Sequence, residues 1–303
     1  MRPPPGRVKE RTRLDPRIVD NKLAGLYHKG QDRIWNGKEY LQECLDKHGG
    51  INIRTNNIEA LHNIFMIILW GELAAWKISA SLAMEIEDDS ARMAATAQAH
   101  DEARHFYVMK DYLELLNGNT AKEDLNKHAD RFLSYILDAN HISKKLLGMQ
   151  MMVEPLALTL FRIVREKDVD PVLSDLLIMF ERDEARHVAF GTLHLPSVLR
   201  EMTVVQRTDL WIWQFRGYMK QFQILYSLEE SFEQLGIRPR RVYEAARKKQ
   251  LNAINLMADE MGIQYPFIDA MMRISDARYE LGTASEDRPY LQRIRRATEK
   301  VLA

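Results

Sequence analysis

Asp101-Glu102-Ala103-Arg104-His105 recurs letter for letter as Asp183-Glu184-Ala185-Arg186-His187. Each copy also has a glutamate upstream in an apolar stretch. Glu72 precedes Glu102 by 30 positions, Glu154 precedes Glu184 by 30, and the second set follows the first by 82. The chain therefore repeats a site, not only a peptide. On a helix, Glu and His three positions apart share a face, with Cβ atoms about 5–6 Å apart, which suits two ligands of one metal ion. A single Glu-x-x-His pair reads as a solvated surface pair; its duplication beside two glutamates in apolar runs does not. Ile67 to Trp76 and Met149 to Leu158 are apolar around Glu72 and Glu154, which predicts buried carboxylates. Unpaired, such groups cost several kcal/mol or are forced neutral, and a bound metal removes that cost.

Two helices bearing Glu-x-x-His and two bearing a glutamate place four carboxylates and two imidazoles in a bundle core, as in ferritin-like di-iron and di-manganese proteins. Carboxylate with imidazole suits iron or manganese better than a thiolate-seeking metal. Four carboxylates also offset two divalent ions. Over roughly residues 56–200 the chain resembles the ferritin-like di-iron carboxylate superfamily. Gly71-Glu72 followed by Asp-Glu-x-Arg-His looks like the hydroxylase subunits of bacterial multicomponent monooxygenases. Rubrerythrins, acyl-carrier-protein desaturases, aldehyde-deformylating oxygenases and ribonucleotide reductase small subunits share the ligand pattern. The resemblance implies two iron ions, with manganese as substitute, held by Glu72, Glu102, His105, Glu154, Glu184 and His187. It also implies that Asp101 and Asp183 hydrogen-bond the ligand histidines and fix their tautomers. Arg104 and Arg186 then complete a charged layer, or lie solvated on the same face.

Several relatives are set aside by residues that are missing. Ribonucleotide reductase small subunits usually keep a radical tyrosine four residues after the first ligand histidine, where this chain has Met109, with Tyr112 a turn further on. Rubrerythrin brings cysteine pairs that are absent. Arylamine N-oxygenases add a histidine one turn before the second Glu-x-x-His, where this chain has Phe180; Glu181 beside it reads either as a seventh ligand or proton donor, or as a surface acid. Gly191 lies one turn beyond His187, where the first repeat has Met109. Its missing side chain reads either as room for substrate beside the metals, with Met109, Tyr112 and Phe180 as further pocket candidates, or as a close helix crossing.

The 303 residues, 46% of them hydrophobic, can build a substantial core. Forty-three basic and 43 acidic residues cancel, which argues against nucleic acid as the main partner. Cys44 is the only cysteine, so a disulfide framework is excluded and a reducing cytosol is the default. No uncharged run reaches about 18 residues and the first residues lack a signal-peptide core, so the expectation is a soluble protein away from membranes.

The predicted architecture is all-α: a ferritin-like four-helix bundle with added N- and C-terminal helices. Residues 1–14, basic and proline-rich, read as a mobile arm, either solvated or docking, and 15–303 as one helical domain with its bundle over about 56–200. Amphipathic helices are expected near 16–29 and 37–48. Asn56-Asn57-Ile58-Glu59 and Thr120-Ala121-Lys122-Glu123 look like capping boxes, Asp88-Asp89 like a helix start and Asn117-Gly118-Asn119 like a stop. After Thr120 the helical pattern runs to about Lys167, with a break near Asn140. Pro155 should bend its helix. Asp170-Pro171 should start the fourth bundle helix, with Pro196 ending or kinking it near 195. Further helices are expected from Thr203 to Leu235, near 240–261 and 264–281, and near 287–300. The aromatic residues from Trp211 to Tyr226 read as packing. The functional expectation is an O₂-dependent oxygenase or oxidase that hydroxylates, desaturates or N-oxygenates a small, largely apolar molecule. Its electrons would come from an external donor such as a ferredoxin or a reductase. The alternative is iron storage or detoxification. The 100 or so residues after the site would roof a pocket or form a homodimer interface.

Overall fold

The computed structural model describes residues 15–261, 265–282 and 289–302. The arm expected at residues 1–14 lies outside them. Among the described residues every regular element is helical. α1 (Pro16–Asp32) and α2 (Gly37–His48) come first, capped by Asp15 and Asn36. α3 (Ile58–Glu85) and α4 (Asp89–Asn117) follow, then the short α5 (Lys127–Leu137). α6 (Ile142–Gly148) runs through a π-helical turn (Met149–Val153) into α7 (Glu154–Lys167), and α8 (Pro171–Glu201) closes the bundle. Beyond it lie α9 (Val204–Ser227), α10 (Glu229–Gln234), α11 (Pro239–Met261), α12 (Tyr265–Gly282) and α13 (Tyr290–Leu302).

α3, α4, α6–α7 and α8 form the four-helix bundle that carries the repeat. α3 is apolar nearly all round, as a helix enclosed by others must be. α1 and α2 cover α4 and α8, α5 packs on α3 and α9, and α11 packs on α7 and α8. Two helical stretches, Thr55–Glu85 and Ile142–Lys167, are long and apolar enough to cross a membrane, but 72% and 83% of their most apolar windows are buried inside the protein. The core accounts for that apolarity.

Most of the predicted boundaries are present. Asp88 caps α4 by accepting from the Ala91 amide at 2.7 Å. Gly118 ends it at φ 72°, the left-handed region that glycine enters without strain. Thr203 and Gln206 make a complete capping box. Several local expectations fail, among them the single helix expected from Thr203 to Leu235, which divides at Leu228 into α9 and α10. Asn57 makes no side-chain cap; a 3-10 turn (Thr55–Asn57) leads into α3 instead. Thr120 caps nothing, because Lys122–Asp124 form a separate 3-10 turn and Asn126 caps α5. α8 runs through Pro196 to Glu201 rather than ending there. Around Pro155 the departure from α geometry lies just upstream, in the π turn, which lets the continuous α6–α7 helix run past a proline that has no backbone N–H to donate. A π turn widens a helix and re-aims the residues after it, here Glu154. Gln221 holds the Met152 carbonyl of this turn at 2.8 Å.

Asp170 ties three segments together. Its carboxylate accepts from Leu173 N at 2.9 Å, Asn52 N at 2.8 Å and the Tyr112 hydroxyl at 3.0 Å. Asp170→Ala therefore removes a helix cap and strands buried donors, and should destabilise the fold by about 2–4 kcal/mol in urea melts. Asp170→Asn, which keeps an acceptor oxygen, should lose less.

Candidate metal centre

Glu72 projects from the middle of α3, Glu102 and His105 from α4, Glu154 from the first residue of α7, and Glu184 and His187 from α8. All six side chains are at most 4% exposed. The structure brings them together as two overlapping sets, Glu72–Glu102–His105–Glu184 and Glu102–Glu154–Glu184–His187, within each of which one ligand atom per residue lies within 4.8 Å of the others. Glu102 and Glu184 belong to both. His105 Nδ1 is 3.0 Å from Glu184 Oε1 and 3.3 Å from Glu72 Oε2. His187 Nδ1 is 2.8 Å from the other oxygen, Glu184 Oε2, and 3.0 Å from Glu102 Oε1. Glu184 thus turns one oxygen to each pole, as a bridging carboxylate does.

The protein leaves this centre unsatisfied. Glu102 Oε2, Glu184 Oε1 and His105 Nδ1 are buried with no hydrogen-bond partner. Burial, reinforced by the neighbouring carboxylates, pushes Glu154 well above the usual carboxylate range; it does the same to Glu72 against the pull of the nearby His105 imidazole. Burial opposes charge on Glu102 too, yet the flanking His187 and His105 hold it well below that range. Four buried carboxylates facing two imidazoles need cations. The donor set is hard oxygen with imidazole, without thiolate, and both clusters are consistent with a di-iron or a manganese/iron cofactor.

Behind the ligands the two repeats cross over. His105 of α4 meets Asp183 of α8, Nε2 to Oδ2 at 3.4 Å, and His187 of α8 meets Asp101 of α4 at 3.3 Å. Bonds from Nε2 leave Nδ1 of each ring free to face the carboxylates. Arg104 pairs with both aspartates, reaching Asp183 at 2.8 Å. Arg186 does likewise, at 2.8 Å to Asp101 and 2.9 Å to Asp183. The expected charged layer is therefore buried and shared between the helices. Burial works against charge on Asp101, but His187 and Arg104 bring it down to about 2.

Three participants carry no mark in the ligand pattern. Trp35, between α1 and α2, donates from Nε1 to Asp183 at 2.8 Å, and the Arg104 guanidinium lies 4.9 Å from its ring centroid. Nothing local in the sequence marks it, since its partner is 148 positions away. Gln98 and Gln150 are fully buried beside Glu102 and Glu154. The repeat itself held a signal for Gln98, which is 82 positions before Phe180 and one turn before a ligand.

The pocket candidates are not among the walls of the cleft that reaches the ligands. Phe180 stacks on His105, with ring centroids 4.3 Å apart. Met109 and Tyr112 are sealed in the core, Tyr112 on Asp170. A Cβ on Gly191 would sit 2.2 Å from Gln150 Cβ, so this glycine serves a close helix crossing. Glu181 belongs to neither ligand set; it binds Arg165 through both oxygens at 2.7 and 3.1 Å. The cleft that does reach the ligands lies on the opposite side, between α3 and the α6–α7 helix. It is narrow, with a cavity volume of about 40 Å³. Ile68, Gly71, Phe132, Val153 and Ala157 are among its walls, and Glu72 and Glu154 are its only charged residues among the described ones.

No protein-family model matches the sequence, and no curated protein matches it. Solved structures do match in fold. The dimanganese(II) NrdF of Streptococcus sanguinis aligns at a TM-score of 0.62 with 12% identity, over 93% of this chain and 97% of that one. An R2-like ligand-binding oxidase with an aerobically reconstituted Mn/Fe cofactor aligns at 0.59 with 15% identity, over 78% of this chain and 93% of that one. The chain has a ferritin-like fold, the likeness to these structures being one of fold.

Proposed function

We propose that this chain is a di-iron, or manganese/iron, oxidoreductase that uses O₂ to oxidise a small, largely apolar molecule. The observation that carries the reading is the apolar cleft whose only charged walls, among the described residues, are Glu72 and Glu154. A substrate lying there meets hydrocarbon on every side except the one that holds the ligands. The R2-like oxidase that the fold matches binds a ligand and carries an Mn/Fe cofactor, which supports the same reading.

When bound, the metal pair supplies the redox chemistry of O₂. The protein's own contribution is geometric and electrostatic. Asp101 and Asp183 hold each imidazole with Nδ1 turned inward. The arginine–aspartate layer keeps those aspartates ionised. Phe180, Phe132 and the α3 side chains exclude water from the ligands. If the reaction is hydroxylation, one oxygen atom of O₂ enters the substrate and the other leaves as water, so two electrons and two protons must arrive from an external donor such as a ferredoxin or a reductase. Met109 occupies the place where a radical-storing tyrosine would stand, so electron paramagnetic resonance of the reduced protein frozen after O₂ addition should show no long-lived tyrosyl signal.

The cleft offers a direct test. Gly71 lines it, and a Cβ there meets nothing within 4 Å. Gly71→Leu should keep the fold and the metals while substrate-dependent O₂ uptake falls at least about ten-fold, because the added side chain fills a space with little to spare. Gly71→Ala should stabilise α3 by about 0.5–1 kcal/mol. The narrowness of the cleft favours one other reading, iron handling without an organic substrate. In that case O₂ uptake by Fe(II)-loaded protein would be indifferent to both variants and to any apolar compound.

A further inference from the structure

The two poles of the centre derive from one repeated pattern, yet the residues beside them differ in kind. At the His187 pole, Gln98 donates from Nε2 to Glu102 Oε1 at 2.9 Å and to Glu154 Oε1 at 2.7 Å. Gln150 donates in turn to Gln98 Oε1 at 2.7 Å. Both amides are at most 1% exposed. Shifted by the repeat length, Gln98 becomes Phe180; Gln150, four residues before Glu154, corresponds to Ile68, four before Glu72. At the His105 pole the pair is thus an aromatic ring and an alkyl chain. Phe180 stacks on His105, and Ile68 is part of the cleft wall. Glu72 there lies 3.3 Å from His105 and shares its set with Glu102 and Glu184, with no amide donor like Gln98 beside it among the described residues.

We infer that Gln98, braced by Gln150, is a positioning residue that makes the Glu154–His187 pole the tighter metal site and the first to fill, leaving the Glu72–His105 pole the weaker and more exchangeable one. The inference rests on the metal-centre reading and goes beyond it. Both hydrogens of the Gln98 amide are spent on ligand carboxylates, so Glu102 and Glu154 are held in place before an ion arrives. A carboxylate oxygen that accepts one hydrogen bond keeps a lone pair for a metal. The Gln98 carbonyl is already taken by Gln150, so the side chain acts as a donor and not as a ligand. Groups that orient metal ligands in this way are typically worth about 10–100-fold in metal affinity. Glu72 and Glu154 both border the cleft, but no amide fixes Glu72 as Gln98 fixes Glu154, so of the two it is the carboxylate left freer to move.

The test uses the full-length protein and Mn(II) alone. Crystals of metal-free protein given half an equivalent of Mn(II) per chain should show anomalous density at the Glu154–His187 pole. Calorimetric titration should resolve two steps. Gln98→Met, similar in size but without donors, should weaken the tighter step about 10–100-fold and the weaker one, which shares Glu102 but not Glu154, by a clearly smaller factor. A merely structural role would move both steps together. Equal density at the two poles, density at the Glu72 pole first, or a Gln98→Met titration that matches the wild type would each overturn the inference and leave the metal centre intact. Absence of metal from both poles in the unmodified protein would overturn the metal centre, and this inference with it.

Discussion

Glu184→Ala and Glu102→Ala should each empty the whole centre, whereas Glu72→Ala and Glu154→Ala should each leave one ion bound. Glu102 and Glu184 belong to both ligand sets, and Glu184 offers one oxygen to each imidazole at 2.8 and 3.0 Å. Removing either takes a ligand from both ions and half of the charge that joins them. Metal analysis of protein produced with ample iron should fall from two equivalents to below about one half for the shared glutamates, and to about one for Glu72 and Glu154. The same substitutions carry a sign test on stability. In metal-free protein the dry core opposes charge on these carboxylates and their mutual repulsion adds to it, which is why Glu72 and Glu154 are pushed upward. Glu184→Ala should therefore leave the metal-free protein as stable as the wild type or more so. A loss of helix would instead make Glu184 a packing residue.

Gly191→Leu should fail at folding rather than at catalysis. Its Cβ would lie 2.2 Å from Gln150 Cβ and 2.8 Å from Gln150 Cγ. Those atoms sit at the root of a side chain locked into the π turn, not at a flexible tip, so α8 or the turn must move. The expected loss is about 3 kcal/mol or more in urea melts. Because Gln150 braces Gln98 on Glu102 and Glu154, any protein that remains folded should also bind metal more weakly. Gly25 is the control: it lies inside α1 with nothing within 4 Å of a Cβ, and Gly25→Ala should stabilise by about 0.5–1 kcal/mol. Similar effects at both positions would mean that helix propensity, and not the crossing, decides Gly191.

Legible and illegible features divide along a physical line. The six ligands were legible because the chain writes them twice, and because a glutamate inside an apolar helix is costly unless a cation meets it. Capping worked where one side chain decides the outcome alone, as at Asp88, Asp170 and Thr203. It failed at Asn57 and Thr120, where 3-10 turns took over the helix entry. Whether Gly191 marks a pocket or a crossing depends on which helix lies opposite. Helical periodicity says that it faces inward but not that Gln150 waits there. The π turn before Glu154 has no sequence signature of its own, and it shifts which side chains meet. That shift is tied to the crossing at Gly191, while the cleft opens beside Gly71. Trp35 reaches Asp183 only through tertiary structure.

The central claim is that the two repeats converge to hold a pair of metal ions. X-ray absorption of the protein as isolated from iron-replete cells, read together with its metal content, tests this most directly. The expected result is two metal equivalents per chain, iron or manganese with iron, in an environment of oxygen and nitrogen donors without sulfur and with a metal–metal scattering shell. Zero or one tightly bound ion, or two ions with no metal–metal shell, would contradict it.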